Sequence, residues 1–205
     1  ALPIYMVKRA TQGLANYIKK QGFGNPAVVI AFDSRNYSPE FAESAALVLC
    51  ENGITAHLFS SLRPTPELSF AVRHLGACAG IVVTASHNPP EYNGYKVYWD
   101  DGAQIVSPHD RGILEEVGKV TGKISAMSRD KAIDRGLLKI IDEEIDQAYL
   151  DMIGHYLVRG DLIAGLKNNF KAVYTPLHGT GTKLVEESLR RINVQFVTVP
   201  EQREP

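Results

Sequence analysis

Cysteine is scarce in this chain, net charge is nearly absent, and no long apolar run occurs; each shortage narrows what the protein can be. Cys50 and Cys78 lie far apart and neither belongs to a Cys-x-x-Cys pair. Cys50 falls in the helical run Ala45-Ala46-Leu47-Val48-Leu49-Cys50, where a buried, reduced thiol is expected, and a reducing, cytoplasmic setting follows. The six histidines have no His-x-x-x-His spacing and no cysteine companions, which argues against a zinc site. A net charge of -1 gives no electrostatic reason to bind nucleic acid or an anionic membrane. No apolar run approaches the ~20 residues of a membrane span, and no signal peptide is recognisable.

What is present suits a globular enzyme. With 205 residues, 44% hydrophobic and 22% charged, the chain can bury one sizeable core and part of another. Helix and strand patterns alternate, which predicts α/β layers. Met6, Val7, Ala10, Leu14, Tyr17 and Ile18 trace a helical stripe ending at Gly22. Ala27 to Phe32 reads as a strand, and Ser38-Pro39 as a helix start with serine capping and proline at the first helical position. Phe41, Ala45, Val48 and Leu49 form that helix's inner face. Ile54 to Phe59 is the next strand, Thr65-Pro66 opens a helix to Leu75, and Ala79 to Thr84 is a further strand. Such crossovers favour parallel pairing, with ligands gathering beyond the carboxyl ends of the strands, where Asp33-Ser34-Arg35, Arg63 and Ser86 all fall. Arg35 and Arg63 read more readily as partners of nearby carboxylates than as anion ligands.

The densest chemistry lies in Thr84-Ala85-Ser86-His87-Asn88-Pro89-Pro90-Glu91-Tyr92-Asn93-Gly94-Tyr95-Lys96. The apolar run Gly80-Ile81-Val82-Val83 ends at a stretch whose prolines permit neither strand nor helix. Asn93-Gly94 signals a tight turn, and Tyr95 to Trp99 has strand composition, so the chain is expected to fold back and carry Lys96 to Ser86. A serine able to carry a phosphoryl group, a lysine to neutralise it and a histidine to move the proton point to phosphoryl transfer. The plainer alternative is a polar loop whose side chains only satisfy backbone groups.

Thr84-Ala85-Ser86-His87-Asn88-Pro89, with Asn93-Gly94 and Lys96 downstream, resembles the active-site signature of the α-D-phosphohexomutases. Arg63-Pro64-Thr65-Pro66-Glu67-Leu68 and Glu91 to Trp99 resemble the phosphoglucomutase and phosphopentomutase branch, and the similarity runs along nearly the whole chain. The resemblance implies a three-layer α/β/α domain with a mostly parallel mixed sheet, followed by a truncated second α/β domain. It implies a mutase that moves phosphate between the 1- and 6-positions of a hexose phosphate through a sugar 1,6-bisphosphate; a phosphopentomutase or phosphomannomutase is the alternative. Ser86 would be the phosphoserine and, through its phosphate, a ligand of Mg²⁺; His87 and Lys96 would contact substrate and assist proton transfer. Mg²⁺ suits phosphate and carboxylate oxygens.

The departures matter too. The family's Asp-x-Asp-x-Asp-Arg metal loop does not occur, and Asp142-Glu143-Glu144-Ile145-Asp146 reads as a helix start instead. An arginine-bearing Gly-rich strand before the first helix and two later domains are not found either, so both ends read as cut and the missing domains of the same polypeptide become the expected partners. The expected division is 1–133, carrying the serine loop, and 134–205, an incomplete second domain. Residues 118–136 read as the connection between them, and Ser107-Pro108 as a helix start. Ile145, Ala148, Tyr149, Met152, Ile153, Tyr156 and Leu157 trace an amphipathic helix that docks within the second domain, because its polar face is not basic. Residues 171–199 read as a short βαβ unit whose turn, Pro176 to Gly181, is a weak phosphate signature and more readily plain geometry.

Two other classes compete. A serine hydrolase is disfavoured because Thr84 and Asn88 stand where a nucleophile elbow has glycines. A non-catalytic module that binds sugar phosphates is favoured only by the missing aspartate loop.

Overall fold

A computed structural model describes residues 3–166 and 170–204. They form two compact units, divided after Asp142. The first holds α1 (Ile4–Lys20), β1 (Ala27–Phe32), α2 (Ser38–Glu51), β2 (Thr55–Phe59), α3 (Thr65–His74), β3 (Ala79–Val83), β4 (Tyr95–Trp99), α4 (His109–Lys119), α5 (Arg129–Asp134) and β5 (Leu138–Ile141). The sheet order is β4-β3-β1-β2-β5, parallel except for β4. This is the expected mostly parallel mixed sheet between helical layers.

Alternation along the strands divides the core. Val28, Ile30, Phe32, Leu58, Ile81, Val83, Val97 and Trp99 join Val7, Leu14 and Ile18 of α1 and Phe41, Ala45 and Leu49 of α2 in one apolar cluster. The intervening residues face α3, where a Cβ on Gly80 would meet Val72, Leu68 and Tyr98. Burial on both faces explains why β1 and β3 read as continuous apolar runs rather than alternating ones. In α1 the buried stripe is Val7, Thr11, Leu14, Ala15 and Ile18, whereas Met6 is exposed. Thr11 is the polar member. Its hydroxyl donates to the Val7 carbonyl at 2.8 Å, which leaves Tyr95 to donate to Thr11 Oγ1 at 2.9 Å and tie β4 to α1.

Three expectations change. The units divide after Asp142 rather than after 133, because β5 pairs with β2 in the first sheet. Residues 118–136 are therefore not a connection: Met127 is buried, its amide donates to the Leu47 carbonyl at 3.1 Å, and α5 packs on α2 and β5. Ser38 does not cap α2; Tyr37 occupies that position with φ 65°, and the Ser38 hydroxyl is engaged elsewhere.

The second unit contains α6 (Glu143–His155), α7 (Gly160–Leu166), β6 (Lys171–Tyr174), α8 (Thr182–Arg191) and β7 (Gln195–Thr198), with β6 and β7 parallel. In α6 Ile145, Asp146 and Leu150 are buried and Ala148, Tyr149 and Met152 half-buried, whereas Ile153 and, beyond the helix end, Tyr156 and Leu157 are exposed, so the expected stripe is covered only in its first part. Glu186 of α8 is, with Asp146, one of two buried carboxylates among the unit's described residues. It accepts hydrogen bonds from Arg203, Thr198 and Arg190, which hold it below the usual carboxylate range despite its burial. The thiols of Cys50 and Cys78 are free and buried, and burial pushes both up to about 11. Among the described residues no helix is long and apolar enough to cross a membrane.

Helices α1 and α4 approach closely because glycine stands at the contact point. A Cβ on Gly13 would lie 2.3 Å from Val117 Cγ2 and 2.6 Å from its backbone nitrogen. Gly13→Ala should therefore destabilise the fold by about 1–3 kcal/mol, the usual cost of overpacking, outweighing the ~1 kcal/mol that alanine gains in helix propensity. Urea denaturation measures this, and a stabilised variant would mean that the helices separate freely.

His57, on the α3 face of β2, has a buried Nδ1 with no partner among the described residues. Burial, and then the Lys139 ammonium, hold its imidazole below its ordinary value. The unfolded chain therefore takes up this proton first, so the contribution to stability is complete above pH ~6.5 and is lost as pH falls towards the lower folded value. His57→Asn should flatten the fall in stability measured by urea titration between about pH 7.5 and 5.5. An unchanged slope would clear His57 of this role.

Candidate active site

Winding from β1 to β2 goes to one side of β1 and the return to β3 goes to the other. The chain connections leave a crevice at the carboxyl ends of β1 and β3, the place where such sheets take ligands. The ladder continues into it: the Asp33 amide donates to the Val83 carbonyl at 3.2 Å and the Thr84 amide to the Gly94 carbonyl at 3.1 Å. Because β4 is antiparallel, its first residues lie at this same edge.

Ser86 stands exposed just beyond the ladder with φ 60°, a left-handed conformation that costs a non-glycine residue about 1–2 kcal/mol. Local hydrogen bonds offset that cost. The Ser86 amide donates to Thr84 Oγ1 at 3.1 Å, and the amides of Asn88 and Tyr92 close successive turns on the Ala85 and Pro89 carbonyls at 3.2 and 3.0 Å. Ser86 Oγ lies 3.1 Å from His87 Nδ1, so the hydroxyl and the imidazole form a pair open to solvent.

Lys96 lies on β4, the antiparallel return strand. It pairs with Val82, while Gly94 is the residue bonded to Thr84, and Lys96 and Ser86 share no hydrogen bond. Alternation sets Lys96 on the α3 face with Val82 and Tyr98. Its ammonium makes no hydrogen bond or ion pair among the described residues, so no carboxylate competes for it.

Under the loop lies a polar scaffold that the sequence only hinted at. Arg35 Nε pairs with Asp33 Oδ2 at 3.0 Å, Nη1 donates to the Pro89 carbonyl at 2.6 Å and the Tyr92 carbonyl at 3.4 Å, and Nη2 donates to the Ser86 carbonyl. Ser38 Oγ lies 2.8 Å from both Asp33 Oδ1 and Asn93 Oδ1, and its single proton serves one of them at a time. Asn93 in turn donates to the Asn36 carbonyl at 2.6 Å. The signal for this scaffold was Asp33-Ser34-Arg35 directly after a strand. Arg63, by contrast, is fully buried, with its Nη2 2.5 Å from Asp142 Oδ1 and its Nε 3.6 Å from Glu67.

Among the described residues no three His, Cys, Asp or Glu side chains gather as a metal site would require. Asp33, the carboxylate of the scaffold, is occupied by Arg35 and Ser38. Taken alone, these residues do not fit a bound Mg²⁺. In the second unit the turn from Pro176 to Gly181 is occupied by its own chain: the His178 amide donates to the Gln202 carbonyl at 2.9 Å, and Thr182 Oγ1 donates to the Arg203 carbonyl at 3.1 Å.

Residues 2–123 match the family described as phosphoglucomutase/phosphomannomutase, alpha/beta/alpha domain I. The chain is 38% identical to a human phosphopentomutase over 207 residues, covering 96% of this chain and 34% of that protein. It is also 38% identical to a phosphoglucomutase of Staphylococcus aureus, strain bovine RF122 / ET3-1, covering 98% and 36%. A crystal structure from Thermus thermophilus, described as a phosphomannomutase, superposes with a TM-score of 0.82 at 25% identity, covering 100% of this chain and 43% of that one. The chain thus spans about a third of the length of these curated relatives.

Gly94 is required by space rather than by turn type: its φ is not positive, yet a Cβ there would lie 2.5 Å from the Thr84 carbonyl oxygen. Gly94→Ala should cost about 1–3 kcal/mol and loosen the loop, since a backbone atom has to yield. Urea denaturation with proteolytic nicking near His87 as the readout tests this; wild-type stability and resistance would refute the close approach.

Proposed function

The chain belongs to the phosphoglucomutase/phosphomannomutase family, and we propose that it carries the phosphoryl-bearing part of a mutase that moves phosphate between the 1- and 6-positions of a hexose phosphate. The observation that carries this reading is the exposed, left-handed Ser86 at the sheet's switch point, its Oγ 3.1 Å from His87 Nδ1. In the forward half-reaction a sugar hydroxyl oxygen attacks the phosphorus on Ser86, the P–Oγ bond breaks, and the sugar bisphosphate forms. The sugar hydroxyl loses its proton and Ser86 Oγ gains one. His87 is the adjacent group able to exchange a proton with that oxygen, so in the return half-reaction it takes the proton as Oγ attacks a phosphorus of the bisphosphate, the P–O bond to the sugar breaks, and the released sugar oxygen is protonated. Lys96, free of any internal partner among the described residues, supplies positive charge to the phosphate.

Members of this family generally depend on Mg²⁺. No acidic cluster accompanies Ser86 among the described residues, so these 205 residues by themselves are expected to show negligible turnover.

A pentose phosphate is the second reading, because the human phosphopentomutase and the staphylococcal phosphoglucomutase are equally similar to this chain. Turnover of glucose 1-phosphate against ribose 1-phosphate by the full-length protein separates the two.

The deciding experiment treats the full-length protein with phosphate-labelled glucose 1,6-bisphosphate and maps the label. The label should reside on Ser86 and vanish in Ser86→Ala, with stability changed by no more than about 0.5 kcal/mol because one exposed hydroxyl is lost. Lys96→Ala should lower kcat on the order of a hundredfold. Label on another residue, or wild-type turnover by Ser86→Ala, would remove Ser86 from the mechanism.

A further inference from the structure

Resting on that reading of Ser86, we infer that Arg35 is a positioning residue, which fixes the serine loop by gripping its backbone rather than by binding the substrate's phosphate. Four of its five N–H groups are already committed, one to Asp33 and the rest to the carbonyls of Ser86, Pro89 and Tyr92. Its side chain is only 9% exposed, and the Asp33 carboxylate pairs with its charge. A guanidinium in that state has little left to offer a free phosphate. Its planar fork, however, reaches three oxygens spread from Ser86 to Tyr92 along a loop with no regular backbone ladder of its own, a task for which the compact ammonium of lysine has the wrong shape.

The carbonyl that Nη2 holds belongs to Ser86 itself, the residue in the strained left-handed conformation. Fixing that oxygen fixes the peptide following Ser86, and with it the position of His87 relative to Ser86 Oγ. Asp33 is equally placed. It orients the guanidinium through Nε and the Arg35 amide, and through Ser38 it joins the network that also holds Asn93 at the far end of the loop. The strain at Ser86 is thereby supported by charge-assisted bonds from β1's end, at a site where a misplaced nucleophile would lose rate steeply.

The test uses the full-length protein and the variants Arg35→Lys and Arg35→Ala, with circular dichroism and thermal melting to establish that each folds. Amide hydrogen exchange is followed at Ser86, Asn88 and Tyr92, each of which is hydrogen-bonded within the loop. Exchange there should rise about ten- to hundredfold in Arg35→Ala, the scale set by losing bonds to a charged group, while the β1 and β3 amides stay protected. Arg35→Lys should restore little of that protection. In turnover, kcat should fall with KM for the sugar phosphate nearly unchanged, and added methylguanidinium should recover part of the kcat lost in Arg35→Ala. Unchanged loop exchange in a folded Arg35→Ala, or full recovery by lysine, would overturn the inference. A KM rise with kcat preserved would overturn it in favour of direct phosphate binding. Should wild-type protein exchange normally at the loop yet never transfer phosphate, the mutase reading fails while the exchange data still decide Arg35.

Discussion

The pairing of β1 with β3 is the constraint from which the site follows. Once Phe32 stands opposite Val83, the chain leaves both strands at the same level, and Asp33 and Thr84 emerge side by side. The Asp33 amide then bonds the Val83 carbonyl, and the two polar segments enter one crevice. Had β2 lain between β1 and β3, the Arg35 guanidinium would be a full strand spacing, about 4.8 Å, farther from the serine loop, beyond the reach of its bonds to Ser86 and Pro89. The topology thus delivers chemistry through hydrogen-bond register rather than through any contact specific to the serine.

A loop ending at an exposed nucleophile faces a conflict. It must be rigid enough to hold one geometry, yet it cannot bury apolar side chains without covering the group it presents. The protein resolves this from beneath, with charge-assisted bonds to backbone carbonyls. Arg35 serves because its donors are numerous and planar, and Asp33 serves because it keeps that cation from seeking other anions. The glycine at position 94 completes the arrangement by letting β4 approach the Thr84 carbonyl closely. Charge, hydrogen bonds and the absence of a side chain each contribute at a different point of the same loop.

Much of the first unit was legible from periodicity and punctuation. β1 and β4 lie where their apolar runs suggested, and Thr65-Pro66 opens α3 as read. The serine motif was legible because a hydroxyl, an imidazole and a pair of prolines in one short stretch have few ordinary explanations. What could not be read was allegiance. Leu138 to Ile141 has strand character in either unit, and only the register with Ala56 to Phe59 assigns it to the first sheet. Ser38 before Pro39 has the form of a cap, but the helix begins at Ser38 itself, after Tyr37, and its hydroxyl donates towards Asp33 or Asn93, which lie on either side of it in the chain. Partners chosen by the fold in this way leave no local trace.

Arg35 and Arg63 make the point most sharply. Each follows a parallel strand of the same sheet, each pairs with a carboxylate, and sequence treats them alike. Arg63 is 2% exposed and its partners are Glu67 one helical turn away, Asp142 at the end of the unit and the face of Phe59, 5.4 Å from its guanidinium carbon. Its burial requires those partners, since a lone cation there would be far costlier than the pairing is worth. Arg35 spends its donors on carbonyls of a solvent-exposed loop, where water could have satisfied the same oxygens at little cost in free energy. Stability alone therefore gives little reason for an arginine at position 35, whereas the need to hold Ser86 in one conformation does, and that difference separates an arginine that completes a core from one that shapes a site.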